Sequence, residues 1–227
     1  MIKRTIFQIL VVLALLSAVG MAKDPYRMGT TTAGFLEIGV GGAGIAMGDA
    51  YVASATDMSA IYWNPAGLAL IKGSEALFMY QPWVVDVSTM FAGYAISLPR
   101  IGTIGLGIFG MNYGNIDVTT LDYQSGTGEQ YTAYDYNFNI TYARSLANWF
   151  SFGASAKYVT SKIWHTAANA MAVDLGVLVQ TPFFSPTGEY DGGMRIGMSI
   201  ANYGSRMRYD GFDLLFPEDI SPSEAGN

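Results

Sequence analysis

From residue 74 onward the chain repeats one pattern: segments of about ten residues in which apolar side chains alternate with small or polar ones, separated by turn residues. A period of two is that of a β-strand, whose successive side chains point to opposite faces. The clearest segment sets Tyr134, Tyr136, Phe138, Ile140 and Tyr142 against Asp135, Asn137, Asn139 and Thr141. The next sets Phe152, Ala154, Ala156 and Tyr158 against Ser151, Gly153, Ser155 and Lys157. Two more come after it: Met171, Val173, Leu175, Val177 and Val179 against Ala172, Asp174, Gly176 and Gln180, then Met194, Ile196, Met198 and Ile200 against Arg195, Gly197, Ser199 and Ala201. Segments 75–81, 88–98 and 102–112 carry the pattern more weakly and bring the expected strands to seven.

The chemistry of the two faces narrows the fold. A β-sandwich in water turns a charged face outward. Here the polar face is mostly Gly, Ser, Asn and Thr, with Asp135, Lys157, Asp174 and Arg195 as its isolated charges. Charged residues are 13% of the chain and aromatics 14%, against the roughly 25% charged usual in soluble domains. These faces fit an all-β, antiparallel transmembrane β-barrel with an apolar exterior and a polar lumen. Tilted spanning strands need about 9–11 residues, and closure is required because lipid cannot satisfy an open strand edge. Tyr80, Trp83, Tyr134, Tyr142, Trp149, Phe150 and Trp164 fall near strand ends, where an aromatic girdle would sit. Stretches 113–130 and 160–168 read as longer loops at one end; 99–102, 146–148 and 182–193 read as the connections at the other. Bacterial single-chain barrels have even strand numbers. Seven strands followed by the polar "EDISPSEAGN" lead to the expectation that the sequence is the N-terminal part of a longer protein.

The start of the chain reads as an export signal. Lys3 and Arg4 precede an apolar run from Ile6 to Val19, and Gly20-Met21-Ala22 supplies small residues at the −3 and −1 positions. The pattern predicts a signal peptide over 1–22. The expected organisation is then an N-terminal plug over 23–72 and a partial barrel over 73–227.

Several functions are excluded or unsupported. The chain has no cysteine, so disulfides, thiol catalysis and cysteine-held metals are absent. One histidine, His165, cannot build a histidine-rich metal site. A net charge of −6 gives nucleic-acid binding no support. Gly39-Val-Gly-Gly-Ala-Gly44 has the spacing of a dinucleotide loop, but it lacks the strand–turn–helix context that would make it one. Close backbone packing in a compact plug explains these glycines better. No pairing of acids suggests glycosidase chemistry, and nothing points to an enzyme or a cofactor.

The segment between the signal and the strands carries a recognisable signature. "GFLEIGVGGAGIAMGDAYVASATDMSAIYWNPAGLA", residues 34–69, resembles the N-terminal signature of the PorV/PorQ family. The match is carried by Gly34–Gly39, Met47–Ala53 and Ile61–Leu68, with Asn-Pro-Ala-Gly shared with fatty-acid-transporter relatives. Thr132–Asn137 and the tail "DGFDLLFPEDISPSEAGN" also resemble family elements. The resemblance implies a FadL-like, fourteen-stranded barrel, about half of it present, with a small N-terminal hatch inside. Gly39, Gly41, Gly44, Tyr62, Trp63, Asn64, Pro65 and Gly67 are the hatch candidates. Tyr62 and Trp63 would pack against the wall while Asn64-Pro65 fixes a turn, and Asp57 would cap a short helix. The resemblance further implies type IX secretion: a barrel in the outer membrane, in contact with its lipids, that receives secreted cargo proteins and other secretion components. The alternative is a FadL-like transporter of fatty acids or other hydrophobic molecules, in which glycines 102, 105, 107 and 110 would permit a kink beside the hatch.

Overall fold

The computed structural model describes residues 32–215, and the fold lies in the unit that begins at Ala33. The expected signal peptide over 1–22 and the tail from 216 onward lie outside the described residues. Eight strands form one antiparallel sheet: β1 (Ser74–Pro82), β2 (Ser88–Leu98), β3 (Gly102–Asp117), β4 (Gln130–Ala147), β5 (Phe150–Ile163), β6 (Thr166–Gln180), β7 (Arg195–Gly204) and the two-residue β8 (Asp210–Gly211). β1 to β7 lie side by side in chain order, and β8 pairs with β6 beyond the end of β7. Among the described residues the sheet is open, with β1 and β7 at its edges. No helix among them is long and apolar enough to cross a membrane.

The alternation puts the faces where the chemistry requires. Asp135, Asn137, Asn139 and Thr141 of β4 are buried, as are Ser151, Ser155, Lys157 and Ser161 of β5 and Asp174 of β6. Their alternates Phe138, Ile140, Tyr158, Met171 and Leu175 are exposed, Ile140 by 62% and Met171 by 70%. Over β4 and β5 the sheet thus buries a mostly polar face, the inner one, and displays an apolar one, the reverse of a water-soluble sheet.

Three loop expectations are corrected. The stretch 160–168 is almost all strand: β5 runs to Ile163, β6 starts at Thr166, and Trp164-His165 alone make the turn, with Trp164 at φ 49°. Its polar residues mislead because one face of this sheet is polar throughout. Conversely, the connection after β6 runs from 181 to 194 and is the longest in the sheet. The loop between β3 and β4 shrinks to 118–129, because β3 continues past a bulge at Asn112–Asn115.

Residues 34–72 form a compact irregular block on the inner face. Its elements are 3-10 turns at Gly34–Glu37 and Pro65–Leu70 and short helices at Gly42–Ala46 and Ala60–Trp63. The second helix starts at Ala60 rather than Asp57. Asp57 instead accepts the backbone N–H and the hydroxyl of Ser59, bracing the turn before the helix. Most of the buried apolar core belongs to this block: Phe35, Val40, Tyr51, Met58, Ile61, Trp63 and Leu68. The sheet contributes Phe91, Phe109 and Val159 to it.

Candidate functional site

Trp63 organises the block. Glycines 39 and 44 leave room for its indole: a Cβ on Gly44 would stand 2.6 Å from the ring, and one on Gly39 3.1 Å from it. The indole N–H donates to the carbonyl of Val40 at 2.8 Å. Tyr51 and Tyr62 pack edge-on against the same ring, at centroid distances of 6.2 and 4.8 Å. Gly41 takes φ 85°, which suits glycine, where the chain enters the Gly42–Ala46 helix. The glycine-rich stretch is therefore a socket for an aromatic ring.

Of the block's aromatic rings, Tyr62 and Phe35 are the ones that meet a ring of the sheet. Phe35 stacks on Phe109 of β3 at 5.8 Å, and Tyr62 meets the same ring at 6.5 Å. The Tyr62 hydroxyl donates to Leu36 O at 2.9 Å. Burial is the main cause raising its pKa, followed by the negative charges of Asp49, Glu37 and Asp174. Trp63, expected against the wall, has its ring partners within the block.

Asn64 and Pro65 make the turn and also fasten it to the sheet. Asn64 Oδ1 accepts the N–H of Ala66 at 3.1 Å, and Pro65 occupies the first position of the following 3-10 turn. Asn64 Nδ2 donates to Val52 O at 2.9 Å within the block and to Val177 O of β6 at 3.1 Å. Asn64 is fully buried, while its acceptors Val52 and Val177 are partly exposed. Gly67 sits where a Cβ would meet Ala55 O and the Ala60 side chain.

The sheet is recessed to receive this turn. A Cβ on Gly153 of β5 would stand 2.5 Å from Pro65 O and Ala66 N, and one on Gly176 of β6 2.8 Å from the Pro65 ring. Gly105 of β3 faces Leu68 and Ile61, Gly93 of β2 faces Met58, and Gly197 of β7 faces Val52-Ala53. Together they form a shallow trough across the inner face from β2 to β7. Gly105 and Gly107 therefore serve close packing rather than a kink. The ladder of β3 stays regular through both, and its bulge lies further on, around Tyr113-Gly114.

The four charges expected on the inner face separate into three places. Lys157 and Asp174 form a contact ion pair, Nζ to Oδ2 2.6 Å, with side chains 3% and 1% exposed. Asp135 Oδ2 accepts the hydroxyl of Tyr113 at 2.6 Å. Arg195 stands apart at the far end of β7, 3.4 Å from Asp191. It lines a cleft of about 940 Å³ between the block and the adjoining turns, with Thr56, Lys72, Asn148, Gln180 and Glu189 among the other lining residues. The sequence alone did not reveal Asn202, which completes the Lys157–Asp174 group, or Glu75, whose carboxylate accepts the N–H of Met58 at 3.1 Å. Alternation signals which face a residue occupies; these contacts depend on strand register, which it leaves open.

No group of three or more His, Asp or Glu that could hold a metal ion occurs among the described residues. Compared with known families, residues 21–220 match the family described as type IX secretion system protein PorV. A search of curated proteins found no match.

Proposed function

The chain belongs to the PorV family of type IX secretion system proteins, and from that membership we propose that it works as an outer-membrane β-barrel that binds secreted cargo proteins and passes them to other components of the secretion machinery. The observation that carries the membrane part is the reversed sheet, with polar residues buried on one face and Phe78, Leu106, Ile140, Met171 and Ile196 exposed on the other. Such a face is at rest against outer-membrane lipid and not in water. In this reading the sheet is part of a closed barrel, since lipid cannot satisfy the free edges of β1 and β7. Residues 34–72 are its hatch, held over the trough by Asn64 and Pro65. The fatty-acid-transporter alternative is set aside, because the family matched is the secretion protein.

The test is affinity purification of the full-length protein from its native outer membrane, with copurified proteins and extracted lipids identified by mass spectrometry. Secreted proteins that share a C-terminal domain are the expected companions. Bound fatty acids or hydrocarbons without protein cargo would overturn the secretion reading and restore the transporter.

A further inference from the structure

β7 contains one residue more than its partner. From Gln180↔Arg195 to Leu175↔Ile200 the β6–β7 ladder is regular, with even-numbered β7 residues on the apolar face. It resumes at Val173↔Tyr203 and Ala172↔Gly204, so Ala201 and Asn202 together oppose Asp174. The phase of β7 flips there. Tyr203 now points outward and is exposed. Beyond it Ser205 still bonds to Met171, but Met207 packs on the apolar core of the inner face, and the Tyr209 hydroxyl reaches Ser161 Oγ at 2.6 Å. Pairing with β6 returns at Asp210 and Gly211.

The extra residue is held by the buried ion pair. Asn202 adopts φ 58°, a left-handed conformation that asparagine tolerates and β-branched residues avoid. Its N–H donates to Asp174 Oδ1 at 2.7 Å, and its Oδ1 accepts from Lys157 Nζ at 2.8 Å. The ammonium thus touches both Asp174 and Asn202, closing a ring of three residues from three neighbouring strands. Buried ion pairs add little net stability, because desolvation offsets the attraction; their best-attested use is to fix one register against another. A bulge-free ladder is the competing register here, and it would turn every following β7 side chain to the opposite face.

We propose that Lys157, Asp174 and Asn202 form a register lock: the ion pair holds the β7 bulge and so decides which side of the wall residues 203–211 present. With the lock closed, Tyr203 faces outward and Met207 and Tyr209 form a strap over the inner face. With it open, β7 slips by one residue and the strap leaves. The inference concerns the wall and goes beyond the secretion reading.

These 227 residues contain no cysteine; with any cysteine elsewhere in the full-length protein changed to serine, introduced thiols report register without interference. In the full-length protein in its membrane, the pair Val173→Cys/Tyr203→Cys joins facing positions of the bulged ladder. The pair Ala172→Cys/Tyr203→Cys joins positions that face only after a slip. Under a mild oxidant the first pair is expected to cross-link and the second not. Adding Lys157→Met with Asp174→Leu is expected to raise the ratio of slipped to native cross-link at least ten-fold. An unchanged ratio overturns the proposal. Should that variant fail to reach the membrane, Asn202 decides: Asn202→Val is expected to shift the ratio more than Asn202→Gly, which tolerates the same φ and keeps the N–H to Asp174 but loses the amide oxygen that accepts from Lys157. Equal ratios in the two overturn the proposal as well.

Discussion

Replacing Gly153 with alanine tests whether the trough positions the N-terminal block. The added Cβ would stand 2.5 Å from both Pro65 O and Ala66 N, about an ångström inside ordinary contact. A strand residue cannot rotate its Cβ away, and the facing atoms are backbone, so the block must lift. Overpacking of this kind costs about 1–3 kcal/mol. A cost of about 2 kcal/mol multiplies the undocked population by roughly 30, at about 1.4 kcal/mol per factor of ten. The assay is amide hydrogen exchange of the full-length protein in lipid nanodiscs. Amides of residues 60–71 are expected to exchange roughly 30-fold faster, while those in the β4–β5 ladder keep their parent rates. Gly42→Ala is the control, since nothing lies within 4 Å of its Cβ and its φ is not positive. Parent exchange over 60–71 in Gly153→Ala, or equal acceleration in the strands, would refute the reasoning that Gly153 exists for docking.

Other expected outcomes rest on the same contacts. Asn64→Ala strips a donor from Val52 O and Val177 O and an acceptor from Ala66 N. At about 1–3 kcal/mol per unsatisfied buried group, it should undock the block more than Gly153→Ala does, read by the same exchange. Deleting residues 34–69 should raise ion conductance in planar bilayers, and unchanged conductance would deny that the block is a hatch. Tyr62 should make docking sensitive to alkali. Its folded pKa is raised by burial and by neighbouring acids, whereas the released side chain ionises near 10. The docked state is thus at full stability below about pH 10 and loses stability above it. Conductance should rise there in the parent and rise less in Tyr62→Phe, where Tyr51, also raised by burial and by Asp57, is the remaining tyrosine of this kind in the block.

Much of the wall was legible because alternation is a local signal. In β4, Asp135, Asn137 and Asn139 are inward and Phe138 and Ile140 outward, as period two requires. Strand ends were less legible, for a reason specific to such sheets. A polar run like Ser161–Asn169 normally announces a loop, but here Ser161 and Thr166 belong to a polar buried face. The expected alternation of β7 stopped at Ala201 because the bulge at Asn202 reverses its phase. The approach of Lys157 to Asp174 depends on the register of the neighbouring strands β5 and β6, and that of Gly153 and Gly176 to Pro65 on where the block seats on them. Within the block, the turn at Asn64-Pro65 could be read locally. The inward position of Trp63 could not, because it depends on Gly39 and Gly44 some twenty residues earlier.

The trough also imposes an order of assembly. Each strand from β2 to β7 pairs with its predecessor in the chain, so the wall can grow one hairpin at a time through short-range contacts. The block at 34–72 has no such freedom. Its seats lie on β2, β3, β5, β6 and β7, from Gly93 to Gly197, so its last seat is created only when β7 joins the sheet. The part of this unit that leaves the ribosome first therefore completes its packing after the strands, and until then its aromatic residues need shelter from water.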